Sequence, residues 1–217
     1  MIEFLPILLG GARVTVEITA SAAVLAVLLA FVSGLARLSR SRLIRGTSVV
    51  YVELFRGSSL LVQLFWLFFV LPHFGVTLTP FQTAVLGLGL NIGAYGSEVV
   101  RGAILAVPAG QTAAAAALGL TGPQVMRYVV LPQAVLRMLP IWGNLLIELL
   151  KGTALVSLIT VSDLTFRAYQ LNQATFQTAK IFTMVLAIYG LLALVIAMAI
   201  RGLERRFGRH RLAQERM

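Results

Sequence analysis

A chain of 217 residues that is 59% hydrophobic and only 12% charged excludes an ordinary soluble domain, which carries roughly a quarter charged residues. It contains no cysteine, so disulfides and thiolate metal sites are excluded, and His73 and His210 are too far apart in sequence to suggest a metal pair. The net charge of +10 does not point to nucleic acid, because the cations concentrate at the ends of apolar runs.

The start is acidic at Glu3 and no Lys or Arg precedes Arg13, so no secretory leader is expected and the first apolar run is read as retained. Ile18–Ala36 and Ile181–Ile200 are free of charge, and Gly57–Ser97 contains no Asp, Glu, Lys or Arg. About 20 mostly apolar residues cross a bilayer, so the long middle run has room for two spans with a turn at Pro72-His73-Phe74-Gly75. The expectation is an all-α integral membrane protein in one domain, with spans near 14–36, 58–72, 80–100, 130–150 and 180–201 and no internal repeat.

Sidedness follows from the arginines. Arg37, Arg40, Arg42 and Arg45 follow the first span, and Arg201, Arg205, Arg206, Arg209, Arg211 and Arg216 follow the last. Such clusters lie on the cytoplasmic side and meet anionic lipid. The N-terminus is then outside and the C-terminus inside, with 101–129 cytoplasmic and 73–80 and 151–179 external. Pro140 and Gly143 are expected to interrupt the fourth span, as in the broken helices that frame transport sites. In the cytoplasmic segment 108–130, Pro108 suits a helix start, the alanines favour helix, and Gly119 suits a left-handed end. Thr121 with Gln124 has capping-box spacing. The pattern predicts helix, tight corner, helix.

Charges repeat at i, i+3: Glu53 with Arg56, Glu98 with Arg101, and Glu148 with Lys151. The first two read as structural ion pairs near the cytoplasmic interface, and Lys151 as a side chain that reaches the outer interface. Ionisable residues at membrane depth are costly and mark transport paths. Phe65, Trp66, Phe68 and Phe69 point all round their helix and read as lipid and subunit contacts rather than a cation cage.

The segment 110–134 resembles the permease signature of ATP-binding-cassette importers. Ala114-Ala115 is followed by Gly119-Leu120, then Val129, then Leu131-Pro132. The family's glutamate falls at Ala113. The stretches YVELFRGSSLLVQLFWLFF, GAYGSEVVRGAILAVPAGQ and LPQAVLRMLPIWGNLLIELLKGTALVSLITVSDL are similar to permeases for polar amino acids. QLFWLFFVLP, KGTALVSLIT and DLTF resemble ectoine and hydroxyectoine permeases in particular. The resemblance implies a coupling helix at 108–130 that docks on a separate ATPase subunit holding ATP and Mg. It also implies a second permease, identical or paralogous, an extracytoplasmic solute-binding protein, and the bacterial cytoplasmic membrane. This chain has no phosphate-binding loop of its own. A zwitterion leaving water needs an opposite charge for each of its ends. Asp163 is the first choice for the cationic nitrogen, with a helix cap as its alternative role. Asn144, Glu148, Thr153 and Ser157 add polar groups, and Tyr95 and Asn91 form the opposite wall. A secondary transporter or channel is the rival reading.

Overall fold

Helix packing in a membrane relies on close approach of small residues rather than on expulsion of water, and the two most extensively packed helices show why. The computed structural model describes residues 2–208, so Arg209, His210, Arg211 and Arg216 lie outside the described residues. Helix α1 (Leu5–Ala36) buries Ile18, Ala22, Ala26, Ala30 and Gly34, which fall on one stripe at four-residue spacing. Helix α4 (Pro80–Leu105) answers with Gly89, Gly93 and Gly96. A Cβ on Gly89 would lie 2.6 Å from the Leu25 side chain, one on Gly93 2.9 Å from Leu29, and one on Gly96 2.8 Å from Ala30. These pairings rise together along both chains, so α1 and α4 run parallel.

Between them the chain makes a return. Helix α2 (Arg42–Gly57) is followed after Ser58 and Ser59 by α3 (Leu60–Phe65), bent from it by 105°. α3 continues through a π turn, Trp66–Val70, and a 3-10 turn, Leu71–Phe74, which Gly75 ends at φ +82°. Only α3 with its turns occupies the expected second span, and α2 is a separate helix. Thr79 and Gln82 then cap α4 reciprocally: Gln82 N–H donates to Thr79 Oγ1 at 3.2 Å, and Thr79 N–H to Gln82 Oε1 at 3.0 Å.

α5 (Ala109–Ala117) leaves α4 at a 61° bend. A corner through Gly119, φ +81°, leads to α6 (Gly122–Val125), a π turn at Met126–Val130, and α7 (Leu131–Gly152). Pro140 sits inside α7 without breaking it, contrary to the interruption expected there. Gly143 is instead a contact position, where a Cβ would meet Ile200 at 3.0 Å. A 3-10 stretch, Thr153–Ile159, leads to α8 (Leu164–Thr175) and then α9 (Thr178–Gly208).

α7 runs antiparallel to α4, since Trp142 lies against Gly96 and Gly152 against Leu88. α8 meets the start of α1, where a Cβ on Gly11 would lie 2.8 Å from both Asp163 O and Leu164 Cα. The corner between α5 and α6 and the helix α8 therefore sit at opposite ends of the bundle. Three helices among the described residues are long and apolar enough to cross a membrane, or five if each bent pair counts as one span. The first helix begins at Leu5 rather than near residue 14.

Candidate functional site

The break between α2 and α3 orphans backbone carbonyls, and polar side chains close it. Gln63 Nε2 donates to Phe55 O at 2.9 Å, Ser58 O at 3.2 Å and Ser58 Oγ at 2.8 Å. Asn91 Nδ2 donates to Phe55 O at 2.9 Å and Gln63 Oε1 at 3.2 Å. Tyr51 Oη donates to Leu90 O at 2.8 Å. The Asn91 amide is thus committed to holding the break. Gln63 and Ser58 were missed by sequence reasoning. The Gly57-Ser58-Ser59 punctuation was the signal available for them.

Beside this break opens a cavity of about 550 Å³. Ser58 and Ser59 from the break, Asn91 and Tyr95 from α4, and Glu148 and Lys151 from α7 line it. Four residues singled out in sequence, Asn91, Tyr95, Glu148 and Lys151, meet here. Asn144 is exposed on α7 one turn before Glu148, so Asn144, Glu148 and Lys151 form one stripe at i, i+4, i+7. Neither Glu148 nor Lys151 belongs to any ion pair among the described residues.

Three others lie elsewhere. Thr153 is fully buried, donates to Leu150 O at 2.6 Å and lies 3.4 Å from Tyr189 Oη. Ser157 donates to Ala154 O at 2.8 Å. Asp163 is fully buried and caps α8, accepting from Phe166 N–H at 2.9 Å and Thr165 N–H at 3.2 Å. It does not line the cavity, and its capping role answers the alternative left open in sequence. Four orphan N–H groups at a helix start need acceptors, and a carboxylate at the N-cap supplies them. Burial pushes the Asp163 carboxyl up to about 6, against the pull of those N–H groups. Thr15 Oγ1 accepts from Leu164 N–H at 3.2 Å, and Thr165 Oγ1 lies 3.1 Å from Tyr189 Oη, so this corner ties α1, α8 and α9 together.

Glu98 is the hub of a second constellation. Arg101 pairs with it at 3.0 Å, as its spacing predicts, but Arg56 also reaches it at 3.2 Å and Arg37 bonds to it from the end of α1. The expected pair of Glu53 with Arg56 does not form: Arg56 turns toward α4, its guanidinium 5.3 Å from the centre of the Tyr95 ring, and Glu53 is left exposed. α1, α2 and α4 are locked through one carboxylate.

At the corner after α4, Ala115 is buried while Ala113, Ala114, Ala117, Leu118 and Gly119 are exposed. Leu118 is 83% exposed. Gln124 Oε1 accepts from Thr121 N–H at 2.8 Å. Gln133 bonds to Gln111, and Arg137 to the Ala106 carbonyl, so the corner is fastened to the first turns of α7 just beyond Leu131 and Pro132. These bonds join the corner to the helix that carries Glu148. No group of three or more metal-ligating side chains occurs among the described residues.

Comparison with known proteins gives a consistent result. The profile of the family described as the binding-protein-dependent transport system inner membrane component matches residues 22–209. A probable amino-acid ABC transporter permease protein of Sinorhizobium fredii is 46% identical over 200 residues, covering 89% of this chain and 84% of that protein. The L-cystine transport system permease protein of Bacillus subtilis is 38% identical, covering 96% and 89% respectively. A chain in the crystal structure of an amino acid ABC transporter with histidines superposes with a TM-score of 0.89 at 34% identity, covering 95% of this chain and 96% of that one.

Proposed function

The chain belongs to the family of binding-protein-dependent transport system inner membrane components, and from that premise we propose that it moves a zwitterionic solute along the polar stripe of α7. It is a permease subunit of an amino-acid ABC importer in the bacterial inner membrane, a transport component and not an enzyme. Membership implies an ATPase partner, which binds ATP with Mg, and a second permease.

The observation that carries the reading is the charge of Glu148 and Lys151, exposed near the end of α7 beside the cavity and in no ion pair among the described residues. Polar side chains at membrane depth face protein or a water-filled path. A second permease set against α7 covers them and closes the cavity between two chains. Glu148 then meets the cationic nitrogen of the solute and Lys151 its carboxylate, a division of charge that suits polar amino acids. Ectoine and hydroxyectoine share that zwitterionic chemistry and belong in the test. Ala113–Leu120 docks on the ATPase on the cytoplasmic side, where small side chains allow close backbone approach. ATP-driven closure of the ATPase pair moves α5, and with it α7, switching the path from inward- to outward-facing. A solute-binding protein delivers the solute at the opposite face.

The test is ATPase activity of the reconstituted complex with its binding protein, over ectoine, hydroxyectoine, histidine, arginine, glutamine and cystine. One or more zwitterions stimulate the wild type. Glu148→Gln and Lys151→Gln each raise the solute concentration needed in transport by roughly tenfold, about 1.4 kcal/mol. Transport that survives both changes with unaltered solute dependence rejects the assignment of the path. Transport that persists after ATP depletion with the proton gradient intact rejects the importer reading in favour of a secondary carrier.

A further inference from the structure

The short corner between α8 and α9 contains a residue that local structure does not explain. Phe176 adopts φ +54° and ψ +23°, the left-handed conformation that ends α8, with its N–H donating to Asn172 O at 2.8 Å. Glycine or asparagine normally fills such a position, and a bulky aromatic there is strained. The strain is not repaid by packing, since the side chain is 86% exposed, more than any other large apolar side chain described. The corner is otherwise well held: Thr178 Oγ1 donates to Asn172 Oδ1 at 2.8 Å, and Thr175 Oγ1 to Leu171 O at 2.8 Å. Strained, exposed residues held by an ordered frame are a mark of functional contact.

The surroundings indicate what the ring contacts. Asn172, Gln173, Thr175, Gln177 and Thr178 flank it, so the segment is polar and precedes the apolar run that begins at Ile181. The charged side chains from 164 to 180 are Arg167 and Lys180, both cationic, while the Asp163 carboxylate is turned inward against its own helix. The corner lies at the opposite end of the bundle from the α5–α6 corner that meets the ATPase. The family is defined by its dependence on a binding protein.

We infer that Phe176 is a docking knob for the solute-binding protein, and that the partner surface is an apolar pocket rimmed by carboxylates that face Arg167 and Lys180. This rests on the functional reading above, which sets the α8 end outside. An isolated aromatic entering a pocket is the usual form of a binding hot spot, and cation–carboxylate pairs at its rim steer encounter.

Glycine relieves the strain at this corner without changing its path, so Phe176→Gly separates docking from folding. In the reconstituted ATPase-bearing complex, the wild type must first show stimulation by its cognate solute-binding protein loaded with the stimulating amino acid. Absence of that stimulation removes the functional reading and this inference with it. Given stimulation, the glycine variant keeps the basal ATPase rate, and the thermal midpoint of the complex is no lower than that of wild type. It needs at least tenfold more binding protein for half-maximal stimulation and recovers the full rate at saturation. Phe176→Tyr behaves as wild type. An unchanged half-maximal concentration in the glycine variant overturns the inference. So does extra quenching of Phe176→Trp fluorescence, relative to wild type, by brominated lipid in the absence of binding protein, because that outcome seats the ring in the membrane.

Discussion

Replacing Glu98 with glutamine keeps the shape of the hub and removes its charge. Arg37 is the side chain with most at stake, because it is only 14% exposed, against 36% for Arg56 and 37% for Arg101. A charge-assisted hydrogen bond to a partly buried group is worth about 1.5–3 kcal/mol. The two more exposed pairs contribute roughly 0.2–1 kcal/mol each. Their sum gives a loss of roughly 2–5 kcal/mol for Glu98→Gln, most of it from a guanidinium left without its counter-ion. Equilibrium unfolding of the purified permease in detergent reads this directly. Arg37→Met in the glutamine background restores part of the loss, since removing the orphaned charge removes its desolvation cost. High salt weakens the contributions of Arg56 and Arg101 and leaves that of Arg37. A loss below about 1 kcal/mol, or no recovery in the double variant, refutes the view that one carboxylate locks three helices.

Gly11→Ala places a Cβ 2.8 Å from the backbone of Asp163 and Leu164, where no rotamer change relieves the clash. It costs about 1–3 kcal/mol in the same unfolding assay, while Gly10→Ala, which meets nothing within 4 Å, is close to neutral. For Asp163 the folded carboxyl holds its proton up to about pH 6 because burial penalises the charge, whereas the unfolded group releases it near its ordinary value of about 3.9. Folding therefore binds a proton between those values, and stability falls as pH rises through that window, then levels off above it. Asp163→Asn keeps a capping oxygen, flattens that part of the profile, and is the more stable variant at neutral pH. A thermal midpoint with the wild-type pH dependence contradicts this. Ala113→Glu changes an exposed position, leaves stability unchanged, and raises binding-protein-stimulated ATPase activity several-fold by restoring the carboxylate of the family signature. An unchanged rate shows that apolar packing suffices.

The course of the helices was legible wherever it rested on periodicity and punctuation. The uncharged runs marked the long helices, Gly119 marked the left-handed corner, and Thr121 with Gln124 marked the start of α6. What escaped were features decided by neighbours. The separation of α2 from α3 depends on Gln63 and Asn91 reaching back to the carbonyls of Phe55 and Ser58, and no local pattern encodes that reach. Pro140 suggests a break by its missing N–H, yet α7 continues through it. Arg56 chose Glu98 over Glu53, because the Tyr95 ring and the carboxylate on α4 lie together on the side where α2 crosses.

The polar residues after the fourth span show why chemistry alone ranks candidates poorly. Asp163 and Glu148 are both carboxylates in an apolar context, and sequence favoured the first. A helix start presents unpaired N–H groups that a nearby acid satisfies at once, so an acid directly before a helix is claimed by the backbone. Glu148 lies in the last turns of α7, where every neighbouring N–H is already bonded back along the chain. Its carboxylate has no local use, and it faces out of the subunit beside Lys151. The same reasoning separates Thr153, bonded back to Leu150 in its own turn, from Asn144, which is exposed on the stripe. A polar side chain at membrane depth becomes a better transport candidate when the backbone around it has nothing left to ask of it. By that measure Asn144, Glu148 and Lys151 stand ahead of Asp163, Thr153 and Ser157.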